Sequence, residues 1–411
     1  MNSLRILCLL SVLSCVHSWS KADVAWLPAD VPPAPAEGPA LCPRDFVTPA
    51  VGAEILLAAE AAYPTRGDWV GYGELVKQRI RDGAGLTPWP RSLGAEPILH
   101  SVREFDGYSV ANVALETVPG YWATGNLYRP LGREGPFPIV LTTHGHSGGG
   151  LDKPGGLANH GRFGPSVQVR AATLARMGAI VFAVDMFGYG DNQVALGSSA
   201  HRSVAAFPLH LVNGTRLLDW LLALPDADAS RVAMTGASGG GTQTFMLTAL
   251  DERIGVSVPV VMVSSYFFGG CACESGVPVH RSADHFASNA MVAALAAPRP
   301  MLVISDGKDW TQYTPQTEFP FLQRIYAQAG APDHVGNAHF PDEGHDYGPN
   351  KRAAMYAFVA RELALDASAV DETRCTMQAP EALRVFDETH PLPSHAATTP
   401  EAVLEALKSL Q

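Results

Sequence analysis

From Pro138 onward, short apolar runs alternate with segments of helical spacing. Ile139–Thr143 is an apolar run that leads into glycines, Gln168–Met177 is helical, Ala179–Val184 is a second buried run and Leu209–Leu224 is a long helix. Arg231–Thr235 is a third strand, Gly241–Leu250 a helix and Ile254–Val263 a fourth strand. Asn289–Leu295 is helical, Met301–Ile304 a fifth strand, Thr317–Ala329 helical again, and Tyr356–Leu365 a closing helix. Continuous apolar strands between helices predict a mostly parallel sheet with helices on both faces. Ahead of this block, Tyr63–Ala84 has helical spacing around Trp69, Leu75 and Ile80, and Pro88 and Pro90 end it. Tyr108–Glu116 alternates in strand fashion, with Tyr121–Tyr128 as its hairpin partner. Six prolines between 29 and 49 predict a linker or wrapped arm. Thr399-Pro400-Glu401 reads as a helix start, and Ala402–Leu410 is amphipathic. The expected layout is an N-terminal arm and helical segment over 19–107, an α/β domain over 108–366 and an extension over 367–411.

The first residues read differently. Met1–Arg5 carries one positive charge, and Ile6–Val16 is an apolar stretch of 11 residues, too short to span a bilayer. A signal peptide over 1–18, cleaved before Trp19, fits this pattern. Val12-Leu13-Ser14-Cys15 also resembles a lipobox, which would make Cys15 a lipid anchor. No later stretch is apolar enough for a transmembrane helix, so export to the periplasm or the extracellular space is expected. The 411 residues are 47% hydrophobic and 17% charged, a globular composition. A net charge of −11, with 40 acids against 29 bases and no basic stripe, argues against a nucleic-acid partner. Two of the six cysteines lie in the leader. The other four, Cys42, Cys271, Cys273 and Cys375, suggest disulfides in an oxidising compartment. Adjacent Cys271 and Cys273 would close a strained ring, so bridges to Cys42 and Cys375 are easier. A zinc site would lack the usual paired Cys-x-x-Cys spacing.

Chemistry concentrates at three places. Gly236-Ala237-Ser238-Gly239-Gly240 stands between a strand and a helix, the context of a nucleophile elbow. Such a turn exposes Ser238 at the C-terminal edge of a sheet and above a helix N-terminus, where negative charge is favoured. Glu343-Gly344-His345-Asp346-Tyr347 lies before the last long helix, where a general base is expected. His345 is preferred over His339. The acid that orients the histidine should follow Met301–Ile304; Asp309 and Asp306 both qualify, and Gly307 suggests a turn that presents Asp309. An oxyanion hole needs two backbone N–H donors. Gly239 is one, and the loop His144-Gly145-His146-Ser147 should give the other, from His146 ahead of Ser147. The His144-x-His146 spacing would put two imidazoles on one face of a strand. No third ligand is evident, so neither a metal nor a cofactor is expected. Ser264–His285, rich in glycine and aromatics, is expected to form a substrate rim with Tyr266 and Phe268.

These residues, in this order, resemble the α/β-hydrolase superfamily, and more narrowly the exported bacterial acetyl xylan esterase-like hydrolases. The similarity runs from about Tyr108 to Leu365. Its pieces are Gly125-Asn126-Leu127-Tyr128-Arg129-Pro130, His144-Gly145-His146, Val184-Asp185-Met186-Phe187-Gly188-Tyr189-Gly190, Thr235-Gly236-Ala237-Ser238-Gly239-Gly240-Gly241, Ala297-Pro298-Arg299-Pro300 and Asp309-Trp310-Thr311. The resemblance implies an ester hydrolase acting on a decorated polysaccharide such as acetylated xylan. Ala294 to His345 is also similar to glucuronoyl esterases. Those carry a basic residue directly after the nucleophile, where this chain has Gly239. They can also draw their acid from the strand after the elbow helix, where this chain has Val260–Val263 and no carboxylate. Both departures argue against glucuronoyl ester cleavage. A serine peptidase and a non-catalytic binding module of the same fold are the rival expectations. The first would need a propeller that the residues before Tyr108 cannot build.

Overall fold

In a computed structural model, residues 24–31, 47–146, 160–197, 199–275, 279–282 and 284–411 are described. The expected signal peptide, Cys15, Cys42 and Ser147 lie outside these residues. Nine strands form one sheet: β1 (Ile98–Phe105), β2 (Tyr108–Val118), β3 (Tyr121–Pro130), β4 (Phe137–Thr143), β5 (Ile180–Val184), β6 (Ala227–Ala237), β7 (Val256–Val260), β8 (Met301–Asp306) and β9 (Val335–Phe340). Their order is β1-β2-β3-β5-β4-β6-β7-β8-β9. β1, β2 and β3 pair antiparallel, and β3 joins β5 antiparallel. From β5 through β9 every pairing is parallel. This is the α/β-hydrolase fold that the strand–helix rhythm predicts.

The helices lie on both faces because the central strands are apolar on both sides. β4, β5, β7 and β8 are buried along their whole length. Two large apolar clusters result, one on each face. The helices of the chain's first half begin with α1 (Pro49–Ala62), α2 (Arg66–Gly83) and α3 (Pro165–Arg176). α4 (Asp191–Leu196), α5 (Ala206–Leu222), α6 (Gly239–Leu250) and α7 (Asn289–Ala294) follow, then α8 (Glu318–Gln328) and α9 (Pro349–Leu363). α1 is not in the sequence expectation, which placed Pro49 in a linker. Thr48 caps this helix by accepting from the Val51 amide at 3.3 Å, and Pro49 takes the first helical turn, where no N–H is needed. Thr65 and Asp68 close a reciprocal capping box on α2. Trp69 of α2 packs edge-on against Phe321 of α8. The N-terminal segment is thus part of the main core.

The same holds for the C-terminal extension. α10 (Pro380–Leu383) leads into buried Leu383, Val385 and Phe386. Asn112 of β2 donates to the carbonyls of Ala382 and Arg384 at 3.0 and 2.7 Å, and Asn126 of β3 donates to that of Leu383 at 3.0 Å. Asp191 accepts the amides of Val385 and Phe386, and also pairs with buried Arg162. α11 (Pro400–Lys408) then buries Val403 and Leu407, and the Arg91 amide donates to the Leu410 carbonyl at 3.0 Å. Among the described residues no helix is long and apolar enough to cross a membrane.

Candidate active site

Ser238 sits between β6 and α6 with φ 56° and ψ −124°. A positive φ is unfavourable for a non-glycine residue, so the surroundings must hold it. The Ser238 amide donates to the Val260 carbonyl at 3.1 Å, and its carbonyl accepts from Thr242 at 2.9 Å. The flanking glycines are needed for space. A Cβ on Gly236 would lie 2.1 Å from Thr143 Oγ1 and 2.6 Å from the Gly240 carbonyl oxygen. One on Gly240 would lie 2.7 Å from the His144 carbonyl oxygen. The free N–H groups of the first turn of α6 then face the serine side.

The loop between β9 and α9 carries His345. Its Nδ1 donates to Asp309 Oδ2 at 2.6 Å. Asp309 is almost fully buried, and its other oxygen accepts from the amide and hydroxyl of Thr311 at 2.5 and 2.6 Å. The carboxylate is therefore fixed before it meets the imidazole. Trp310 lies against the His345 ring, with centroids 4.4 Å apart, and Phe267 stacks behind it at 3.9 Å. Asp306 has another role. It accepts from Lys351 Nζ at 3.0 Å, and both side chains are buried. Lys351, on α9, also reaches the Gly344 carbonyl and Asp346, so one ammonium gathers the two ends of the His345 turn. Burial works against this ammonium, but the Asp346 and Asp306 carboxylates outweigh it and raise its pKa. His339 lies on β9, where its Nδ1 meets Ser305 Oγ at 2.9 Å.

The segment after β4 passes close over the elbow. A Cβ on Gly145 would lie 2.8 Å from the Ala237 carbonyl oxygen and 2.9 Å from Ser238 Cβ. This brings the backbone of His146 beside Ser238 and Gly239. A Cβ on Gly239 would lie 3.0 Å from His146 Cε1 and 3.3 Å from Glu274 Oε1. Hence a side chain directly after the nucleophile would press on His146 and Glu274, which would have to give way.

The two histidines of the His-x-His pair part company. His144 is buried, its Nδ1 donates to the Gly145 carbonyl and its Nε2 accepts the Met186 amide, and burial pushes its pKa well down. The His146 ring turns instead toward His201, Cys271 and Cys273. Among the described residues, these four form the group able to hold a metal ion, with one ligand atom from each lying within 4.8 Å of the others. The expectation of no third ligand is thereby corrected: the sequence reading weighs the His-x-His and Cys-x-Cys pairs separately, whereas one histidine of the first meets both cysteines of the second and His201 from separate segments. Cys271, Cys273 and Cys375 carry free thiols. The expected bridge to Cys375 is not formed, as that residue lies beside Tyr108.

The expected rim is also corrected. Tyr266 and Phe268 are buried, Phe268 completely so, stacked on His280 and tilted against Phe286. They belong to the core under the site. The aromatic side chain beside the histidine is Trp310, which the sequence reading used only as part of a motif.

A family model described as X-Pro dipeptidyl-peptidase (S15 family) matches residues 124–338. Among solved structures, one described as Methylesterase BT1017 is 39% identical, covers 90% of this chain and 81% of its own, and superposes with a TM-score of 0.81. A Bacillus subtilis (strain 168) protein described as a hydrolase, YtaP, is 26% identical over 53% of this chain and 75% of its own. The 4-O-methyl-glucuronoyl methylesterase of Hypocrea jecorina (strain QM6a) is 23% identical over 56% of this chain and 52% of its own.

Proposed function

Since the chain belongs to the S15 family of α/β-hydrolases, with a methylesterase among its relatives, we propose that it is a serine carboxylesterase that removes methyl groups from esterified uronic acids in a polysaccharide. The single observation that carries the reaction type is the elbow that holds Ser238 at positive φ, and the pairing of His345 with Asp309 supports it. Two relatives described as methylesterases support the methyl ester. The second reading, removal of acetyl groups from a polymer such as xylan, rests on the motif resemblance and on Gly239, which leaves no basic side chain next to the nucleophile.

In this reading His345 takes the Ser238 proton through Nε2 as Oγ attacks the ester carbonyl. The amides of Gly239 and His146 hold the oxyanion. The tetrahedral intermediate collapses, and methanol leaves with the proton from His345. Water then attacks the acyl-enzyme, again giving its proton to His345, which passes it to Ser238 Oγ as the acyl bond breaks and the product acid leaves as its carboxylate, its own proton going to solvent. Asp309 keeps Nδ1 protonated and steadies the imidazolium. The residues of the site supply every proton transfer, and no cofactor takes part. A signal peptide over 1–18 or a lipid anchor at Cys15 would place such an enzyme where polymeric substrate is met.

The test is to offer a methyl-esterified polyuronide and acetylated xylan to the full chain and to Ser238→Ala, and to assay methanol and acetate. Methanol release that falls on the order of 10⁶-fold in the variant is expected. Acetate release alone would move the assignment to the acetyl ester. Cleavage of an Xaa-Pro anilide with neither ester touched would replace it with a peptidase.

A further inference from the structure

We propose that His146, His201, Cys271 and Cys273 bind a zinc ion, and that this ion anchors the oxyanion loop beside Ser238. The argument starts from protons. His201 Nδ1 lies 2.7 Å from the Phe187 carbonyl oxygen, which can only accept, so Nδ1 carries the hydrogen. His146 Nδ1 lies 3.3 Å from the buried carboxylate of Glu274, so it too carries its hydrogen. Each neutral ring then presents a bare lone pair at Nε2. The two Nε2 atoms face each other at 2.9 Å, and Cys273 Sγ lies 3.1 Å from the same His146 nitrogen. A thiol hydrogen can serve the sulfur contact, but the two Nε2 lone pairs, at hydrogen-bond distance with no hydrogen between them, repel. A cation among them turns the conflict into bonding.

The donor set selects the cation. Two thiolates and two imidazoles are the tetrahedral set of zinc. Bonds of about 2.0–2.3 Å to a shared tetrahedral centre place the ligand atoms roughly 3.3–3.8 Å apart, so the 2.9 and 3.1 Å pairs open and the longest separations, all within 4.8 Å, close. A carboxylate behind one ring and a carbonyl behind the other are the outer partners that usually fix metal-bound histidines. Binding displaces the two thiol protons to solvent, two thiolates and two neutral rings remain on the metal, and no electron moves. A proton shared between the two rings is the competing way to relieve the conflict, but it gives no part to the paired sulfurs.

The site has a purpose at this place. His146 is both a ligand through its ring and, in the proposed reaction, an oxyanion donor through its amide. Its ring also lies against Gly239, the other donor. The metal site itself does not depend on the proposed reaction; only its effect on turnover does.

The experiment is metal analysis of the purified full chain by mass spectrometry, with thiol titration and cobalt substitution. We expect one equivalent of zinc, release of two protons per zinc bound, and a thiolate-to-cobalt charge-transfer band with tetrahedral visible bands in the cobalt form. Cys271→Ser and His201→Ala are expected to lose the metal, whereas Cys375→Ser keeps it. Removal by a chelator should lower Tm, and zinc re-addition should restore it, which covers variants that fail to fold. On the esterase substrate, metal removal should lower kcat on the order of tenfold or more with little change in KM. A metal-free chain with titratable thiols, a Cys271–Cys273 disulfide seen by mass, or stoichiometric copper or iron would each overturn the assignment. Zinc bound without any effect on turnover would overturn the anchoring role alone, and zinc bound by a chain that cleaves no ester would leave the site standing while the proposed function fails.

Discussion

At the scale of single residues, two aspartates three positions apart do different work. Asp309 is held by Thr311 and offers one oxygen to His345, while Asp306 is spent on Lys351. Asp309→Asn is therefore expected to lower kcat on the order of 10⁴-fold with the fold intact, because an amide no longer fixes the imidazole tautomer. Asp306→Asn is expected to act through stability, with its loss read in urea titration rather than in turnover of the folded fraction. A kcat that survives Asp309→Asn would remove that residue from the reaction. The sequence marked Ser238 and Asp309 because each follows a readable strand, and His345 because it stands before the last long helix. It misplaced Tyr266 and Phe268 because glycine-rich aromatic stretches look like rims. In the structure Gly52 of α1 packs directly on this stretch: a Cβ there would lie 2.7 Å from Ser265 Oγ and 3.0 Å from Tyr266 Cβ. A contact between residues so far apart in the chain leaves no local trace.

At the scale of elements, the central strands were readable because both of their faces are apolar. β1 and β9 were not. β1 is an edge strand with His100, Arg103 and Glu104, and its burial alternates irregularly. β9 reads Val-Gly-Asn-Ala-His-Phe, which carries little strand propensity and is set by its pairing with β8. α9 matters beyond packing, since Lys351 ties it to the His345 turn and to β8. Lys351→Met would leave Asp306 buried without its partner, so a loss of about 3–5 kcal/mol is expected in equilibrium unfolding. Turnover of the remaining folded enzyme should fall as well, because the His345 turn loses its anchor. Unchanged kcat in that fraction would show that the turn holds itself.

At the scale of the molecule, Arg162 faces two buried acids, Asp185 and Asp191, the first at the end of β5 where it joins β3. Two carboxylates share one guanidinium. Burial pushes the Asp185 carboxyl up from 3.8 to about 7, against the pull of Arg162 and with the added repulsion of Asp191. The folded state thus binds a proton that the unfolded chain gives up. Stability from this group is full below 3.8 and declines as the pH rises toward about 7. Asp185→Asn should flatten that decline when Tm is followed across this window, and an equally steep decline in the variant would assign it elsewhere.

Of these two acids, Asp191 also accepts the amides of Val385 and Phe386. A ribosome makes Val385 194 positions after Asp191. Until Val385 and Phe386 emerge, Asp191 lacks donors that its burial requires, and strands made long before wait on a tail not yet synthesised. Folding of this corner is thereby expected to trail the synthesis of Asp191 by that stretch of chain. A stop codon between α9 and Val385 is then expected to be as damaging as one near β5, although every strand and the His345 turn precede it.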